Sequence, residues 1–223
     1  AVLATAENFR RDPTNRQARS IIDHGLLGDP YLMIETSLGG TNEIQITPWR
    51  HMKERGSIAL DRYVHLADIA QYYLGDIDQV FGKGLIVEPI RYRPDNFDHH
   101  LKSYTERFKT FPEKVEATGE DAVIAMYKMK SGAVVQFSCV SAGRGTKMGG
   151  RSVHGQLGSL HPQGDRVGRP VILRLENQEL TGTEILPLIP DFQLNEVTER
   201  LFGKKAVEYR VSGPEADAKN IAM

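Results

Sequence analysis

The sequence predicts an α+β fold: one large, predominantly antiparallel sheet with helices packed on one face and the other face available for oligomerisation. Up to Gly75, strand-like and helix-like segments alternate. From Val80 onward, strand-like runs follow one another with turns between them. Early helices followed by consecutive strands are typical of α+β domains, in which the helices cover one face of the sheet. We expect residues 1–223 to form one such domain.

The first elements are a strand, a helix and a second strand. Residues 2–6 form a short apolar run, which is typical of a buried strand. Asp12 and Pro13 suit the N-cap and first position of a helix, and Gly25 suits its left-handed end. Residues 31–37 then predict a second strand.

A second helix follows an irregular connection over residues 39–48. The segment 58–74 is apolar around most of its circumference and is followed by Gly75. A helix that is apolar on all sides is normally buried. We therefore expect residues 58–74 to form a buried helix that ends at Gly75.

The remaining chain is dominated by strands. Five strand-like runs lie at residues 80–87, 122–129, 133–140, 152–160 and 171–175. A polar excursion over residues 91–120 predicts one short helix at residues 101–109, and residues 195–202 predict a late helix ended by Gly203.

Composition excludes several functional classes. The chain has 28 basic and 29 acidic residues, so it has no cationic excess with which to neutralise nucleic-acid phosphates. No apolar run approaches the ~20 residues of a membrane span. The single cysteine, Cys139, fits a reducing compartment, and we expect a cytoplasmic protein. The chain starts without Met and in an apolar run, so we expect a fragment of a longer protein.

A polar stripe on the second predicted helix is the main candidate site. Asp61, His65 and Asp68 stand at i, i+4 and i+7, which places them on one side of a helix. Buried charges are costly unless they are paired or used, and a carboxylate beside a histidine fixes its tautomer, as a general base requires. The alternative is a structural ion pair or a core histidine satisfied by its neighbours.

Two further clusters are candidates for ligand binding. Asn8 and Arg10 follow the first predicted strand and could bind a polyol or an anion, or could simply lie in a solvated loop before the helix. Trp49 could stack on a sugar ring or only bury apolar area, and we expect its neighbours Arg50 and His51 to be exposed. His99 and His100 lack ligands in register for a zinc site, and we expect no metal.

Several segments together resemble the C-terminal domain of the Gfo/Idh/MocA family of NAD(P)-dependent oxidoreductases. The similar stretches are residues 7–13, 21–30, Trp49, residues 56–68 with the Asp-x-x-x-His-x-x-Asp spacing, and residues 155–160. The resemblance runs from about residue 3 to at least residue 175, in the family's order.

The resemblance implies roles for the candidate residues. His65 would be the acid/base that moves a hydroxyl proton, and Asp61 would orient the substrate or polarise the pair. Asn8, Arg10, Trp49 and Asp68 would bind a carbohydrate substrate. The outer sheet face would form dimers or tetramers. NAD or NADP would be bound mainly by an N-terminal Rossmann domain that this chain lacks.

Departures from the family pattern leave alternatives open. The family's Glu-Lys-Pro lysine is missing, since only Glu113-Lys114-Val115 occurs, and Gly143-Arg144-Gly145 is not a nucleotide loop. Tyr63 stands where many members have glycine, and it could narrow the pocket. We expect the chain alone not to transfer hydride. The alternatives are a non-catalytic dimerising or ligand-binding module, an NAD-dependent glycosidase of the same family, and a purely structural stripe.

Overall fold

The computed structural model describes residues 7–96, 102–145, 147–203 and 207–208. The predicted first strand, the histidines at 99 and 100, and the end of the chain lie outside these residues. Within the described part, the predicted fold class is confirmed: a large mixed sheet of eight strands carries helices on one face.

Four α-helices form close to the predicted positions. Their bounds are α1 Pro13–Asp23, α2 Val64–Leu74, α3 Lys102–Phe108 and α4 Glu196–Phe202. The Asp12 carboxylate accepts the Thr14 backbone N–H at 3.1 Å, as an N-cap does. A π-helical turn, Ala59–Tyr63, precedes α2, and Gly75 ends α2 at φ +83°.

The strands form one large and one small sheet. Their bounds are β1 Pro30–Leu38, β2 Ile77–Leu85, β3 Ile90–Tyr92, β4 Lys114–Glu116, β5 Ala122–Met129, β6 Val134–Val140, β7 Met148–Gly155, β8 Gly158–His161, β9 Ile172–Leu175 and β10 Gln178–Thr181. The large sheet has the order β10-β9-β8-β7-β1-β6-β5-β2, and β3 pairs with β4. Of its seven neighbouring pairs in the described chain, six are antiparallel; β1 and β6 are parallel.

The prediction of one strand over residues 152–160 was wrong, because a tight turn divides it into β7 and β8. Gly155 and Gly158 flank this turn. A Cβ at Gly155 would lie 2.2 Å from the Leu27 carbonyl oxygen, and one at Gly158 would lie 2.4 Å from that of Arg174. Both glycines therefore allow backbone to approach closely, which a strand pattern does not reveal.

The core lies between the inner sheet face and the helices α1 and α2. Ile21, Ile69 and Phe137 are fully or almost fully buried there. The prediction that the second helix is buried on all sides was wrong on one side, because Leu60 and Val64 are 68% and 41% exposed. The apolar pattern is continuous there, but no described element covers that side.

Candidate functional site

A cleft of about 650 Å³ lies beside the start of α2. Its walls come from α2 and the preceding π-helical turn, from β1 and β7, and from the loops around residues 45–50 and 162–166. The ionisable side chains of its lining are Glu35, Arg50, Asp61, Arg62, His65, Arg151, Asp165 and Arg166. A cleft with this lining suits a small polar ligand.

His65 lies in the cleft wall and is held by Glu7. Its Nδ1 lies 2.6 Å from Glu7 Oε2, and its ring stacks on Phe9 with 4.8 Å between ring centroids. Because the ionised carboxylate only accepts, this contact places the proton of a neutral imidazole on Nδ1 and leaves Nε2 as a base. The sequence reasoning missed Glu7, although it stands beside Asn8 in the segment that resembles the family.

Asp61 also lines the cleft, but its partner is Arg50 rather than His65. Arg50 Nε lies 2.5 Å from Asp61 Oδ2, and the guanidinium sits 5.3 Å from the centre of the Trp49 ring. No described residue donates to Asp61 Oδ1, which stays available to a ligand. The structure therefore separates the expected Asp61–His65 pair into two independent contacts.

The prediction that Arg50 and His51 are exposed was wrong. The Arg50 side chain is 15% exposed and His51 is buried. His51 Nε2 accepts the Gln45 backbone N–H at 3.0 Å, and burial lowers the His51 pKa to about 4. His51 is therefore neutral at physiological pH and holds the loop beside the cleft. In that loop, Ile46 has a φ of +59°, which is rare for a β-branched residue.

The other four predicted binding residues lie near the cleft but outside its described lining. Arg10 forms a two-point ion pair with Asp68, with distances of 2.6 and 2.5 Å. Asn8 lies in the turn before α1, and its Oδ1 is buried without a described partner. Trp49 is 39% exposed. Their roles in substrate binding stay predictions.

Tyr63 points away from the cleft. It is buried, and its hydroxyl lies 2.7 Å from both the Asp121 carbonyl oxygen and Ser141 Oγ. Burial raises the Tyr63 pKa to about 12, so the phenol is neutral and donates to the carbonyl. Tyr63 therefore does not narrow the described cleft.

The floor of the cleft is a buried ionic cluster that the sequence analysis missed. Arg151 Nε lies 2.5 Å from Glu35 Oε2, and its two terminal nitrogens lie 2.8 and 3.1 Å from the Asp165 carboxylate. Burial raises the Glu35 pKa to about 7, although Arg151 opposes that shift. An acidic residue at an inward-facing position of a strand was the available signal, since Glu35 lies two residues after buried Met33 and therefore on the same face of β1.

The described residues contain no group of three or more histidine, cysteine or acidic side chains placed to hold a metal ion. No described helix has the length and apolar character needed to cross a membrane.

Comparison with solved structures shows what the fold is similar to. An NAD binding oxidoreductase from Klebsiella pneumoniae superposes with a TM-score of 0.67 and 21% identity, over 97% of this chain and 54% of that one. Levoglucosan dehydrogenase in complex with NADH and L-sorbose gives 0.61 and 21%, over 79% and 46%. The super-repressor mutant of Gal80p from Saccharomyces cerevisiae gives 0.62 and 16%, over 79% and 44%.

The chain thus spans about half the length of these three proteins. No curated protein matches it in sequence. The family model for the GFO/IDH/MocA C-terminal domain matches residues 15–161, which is well over half of the chain. That match includes β1, α2 and β7, which form much of the cleft. The chain belongs to the Gfo/Idh/MocA oxidoreductase family, in which it corresponds to the C-terminal domain.

Proposed function

We propose that this chain is the substrate-binding part of an NAD(P)-dependent oxidoreductase that acts on the CH–OH group of a sugar, polyol or related carbohydrate. The observation that carries the proposal is His65, whose Nδ1 is bound to Glu7 in the wall of a polar cleft. Levoglucosan dehydrogenase, with which the chain shares its fold, was solved with levoglucosan and with L-sorbose. Its ligands support a carbohydrate as the substrate class.

The chain's own residues would handle the proton and the orientation of the substrate. With Nδ1 donating to Glu7, His65 Nε2 would accept the proton of the substrate hydroxyl while the C–H hydrogen leaves as hydride. Asp61 Oδ1 would accept a hydrogen bond from a neighbouring hydroxyl. Arg50 fixes the carboxylate for this task through Oδ2.

The hydride acceptor would be NAD or NADP, and this chain fits only part of such a cofactor. In the described residues, Gly143 and Gly145 lie in a loop between two strands, so no helix N-terminus follows to bind a pyrophosphate. Leu60 and Val64, which precede Asp61 and His65, leave apolar surface uncovered beside the cleft. That surface suits the flat nicotinamide ring or the domain that carries it.

Two measurements test the proposal. In ¹⁵N spectra of the chain, His65 should show the Nδ1–H tautomer, and Glu7→Gln should disturb it. In the native protein with NAD⁺ or NADP⁺ and a carbohydrate panel, His65→Ala should lower kcat by about 10²–10⁴-fold, the usual contribution of a general base. A stable His65→Ala variant with unchanged kcat would contradict the acid/base role.

A non-catalytic ligand-binding or dimerising module is the second candidate. It is supported by the shared fold with Gal80p, described as a super-repressor mutant. The intact mass of the endogenous protein discriminates between the two. A mass larger by one Rossmann domain of ~120 residues favours the oxidoreductase, whereas a mass near 24.9 kDa favours the module. Carbohydrate turnover without accumulation of NADH would instead indicate the glycosidase variant.

We also propose that the outer sheet face forms a homodimer or part of a homotetramer. Phe81 on β2 is 83% exposed and faces Met126 on β5, which is 53% exposed, and Ile124 is 50% exposed. Large exposed apolar patches usually mark interaction surfaces. Analytical ultracentrifugation should show a dimer or tetramer at micromolar concentration, and Phe81→Asp should shift it toward monomer. Monomer alone in the unmodified chain would count against this surface.

A further inference from the structure

We propose that the cleft selects a carbohydrate that carries a carboxylate or phosphate group, and that Arg166 and Arg62 bind that anionic group. This inference rests on the proposed function, since it names the chemical class of the substrate within the same cleft. A neutral sugar or polyol would leave the charges of these two side chains uncompensated.

The arginines and carboxylates of the cleft lining are unequally paired. Among the described lining residues, four arginines stand against three carboxylates. Arg50 binds Asp61, and Arg151 binds both Glu35 and Asp165. Every lining carboxylate is therefore taken by one of two arginines. The charges of Arg62 and Arg166 have no carboxylate partner in the described part of the chain.

The net charge of the cleft lining is more positive than the numbers of arginines and carboxylates alone suggest. Burial raises the Glu35 pKa to about 7, so this carboxyl is partly protonated near neutral pH. Arg151 remains charged, because Glu35 and Asp165 hold its pKa above the usual value despite burial. The cleft thus presents excess positive charge toward its ligand, which favours an anion.

Arg166 and His65 both contact the Phe9 ring and lie within the length of a sugar of each other. Its guanidinium lies 5.0 Å from the centre of the Phe9 ring, and that ring lies 4.8 Å from the His65 ring, so Arg166 and His65 are at most about 10 Å apart. A six-carbon sugar can bridge this span, with its anionic group on Arg166 and a hydroxyl on His65. Arg166 Nε is buried and makes no hydrogen bond to any described residue.

The backbone holds Arg166 in place. Its N–H donates to the buried Asp12 carboxylate, and its φ is +60°, a conformation uncommon outside glycine. Glycine stands two residues away on each side, at Gly164 and Gly168. A turn with only structural needs would suit glycine at residue 166 as well. The arginine there therefore points to a task for its side chain.

Arg62 approaches the cleft from the π-helical turn before α2. Its terminal nitrogens lie 3.1 Å from Ser141 Oγ and 3.3 Å from Ser37 Oγ. Both partners are neutral hydroxyls, which orient a guanidinium without cancelling its charge. The side chain also remains partly exposed, so an incoming anion can reach it.

The experiment compares three sugars of one skeleton. Binding of D-glucose, D-glucuronate and D-glucose 6-phosphate to the chain is followed by NMR chemical-shift titration, and the two anionic sugars distinguish carboxylate from phosphate. At least one anionic sugar should bind about tenfold more tightly than D-glucose, the effect of one added charge-assisted hydrogen bond. Arg62→Gln and Arg166→Gln should each weaken binding of the anionic sugar more than binding of D-glucose and so remove most of that preference.

Three controls keep the outcomes distinct. Arg174→Gln removes an exposed arginine paired with Glu179 outside the cleft and should change nothing. Arg166→Lys keeps the charge and should retain part of the preference, which separates charge from folding defects. NADP⁺ serves as an anion that is not a hexose derivative.

Equal binding of neutral and anionic sugars, or unchanged preference in both glutamine variants, would overturn this inference and leave the proposed function standing. The inference would also be overturned if Arg166→Gln weakened binding of NADP⁺ but did not weaken binding of any of the sugars. Failure of all three sugars to perturb signals from the cleft would contradict the proposed function itself.

Discussion

Two buried arginine–carboxylate clusters in this domain follow the same physics and have different surroundings. In the first, Arg91 and Asp121 are 2.6 Å apart and almost fully buried. In the second, Arg151 joins Glu35 and Asp165 at the floor of the cleft. Both arginines are paired, as buried charge requires. The clusters differ in what surrounds the carboxylates.

In the first cluster, backbone groups supply hydrogen-bond partners to both charged side chains. The Asp121 carboxylate accepts the backbone N–H groups of Val87 and Glu88, and Arg91 donates to the Thr41 carbonyl oxygen at 2.6 Å. The carboxylate thus has three donors inside the fold, and one of them, Arg91, is also its charge partner. This cluster ties the loop before β5 to β3 and to the loop after β1, and it is structural.

The second cluster lines the cleft, and its Glu35 carboxyl accepts from one side chain only among the described residues. Glu35 is contacted by Arg151, which Asp165 also engages from the other side. Burial therefore dominates, and the Glu35 pKa rises to about 7. The comparison teaches that a buried carboxyl with one side-chain partner can have a raised pKa even when that partner is an arginine.

The largest expected effect is from Asp121→Asn. The substitution leaves Arg91 buried without a counter-charge and turns an amide N–H₂ toward donors, so unfolding free energy should fall by about 3–5 kcal/mol. Denaturant unfolding followed by circular dichroism measures the loss. A decrease below about 1 kcal/mol would show that the first cluster contributes little.

The next effect is a pH dependence that comes from Glu35. Because its pKa is raised on folding, the folded state holds a proton that the unfolded state releases between about pH 4.5 and 7. The stabilisation is complete below pH 4.5 and is lost as pH rises to about 7, by on the order of 3 kcal/mol.

Glu35→Gln tests this assignment, since the amide resembles the protonated carboxyl and cannot titrate. Unfolding free energies of both proteins, measured from pH 4 to pH 8, should differ in slope over that interval. Parallel pH profiles would exclude Glu35 as the titrating group.

The smallest effect should come from an exposed pair that serves as a baseline. Arg174 Nε lies 2.6 Å from Glu179 Oε2 across the edge strands β9 and β10, and both side chains are about half exposed. Glu179→Gln should change the unfolding free energy by about 0–1 kcal/mol, because solvent and salt screen the pair. A loss as large as that of Asp121→Asn would remove the distinction between buried and exposed pairs.

Local signals in the sequence predicted many elements close to where they form. The Asp12-Pro13 start of α1, the end of α2 at Gly75 and the late helix α4 depend on caps and periodicity, which act over a few residues. Short strands such as β3, β4 and β10 were missed. They carry polar residues and exist because a partner strand pairs with them, which no local pattern contains.

For the candidate site, the sequence identified the helix stripe but not its partners. The i, i+4, i+7 spacing placed Asp61, His65 and Asp68 together, and all three face polar partners. Glu7, the residue that orients His65, stands 58 positions earlier in the chain. Spacing along one helix cannot show which distant segment packs against it.

By itself, the sequence determined the fold class, the family and the helix that carries His65, since periodicity, caps and motif spacing are local properties. Only the tertiary structure decided which charges meet. It paired Asp61 with Arg50, joined Glu35 to a residue 116 positions away, and left Arg62 and Arg166 without carboxylates in the described cleft. The physical reason is that ion pairing and burial depend on distance in space, which folding sets through contacts between remote segments.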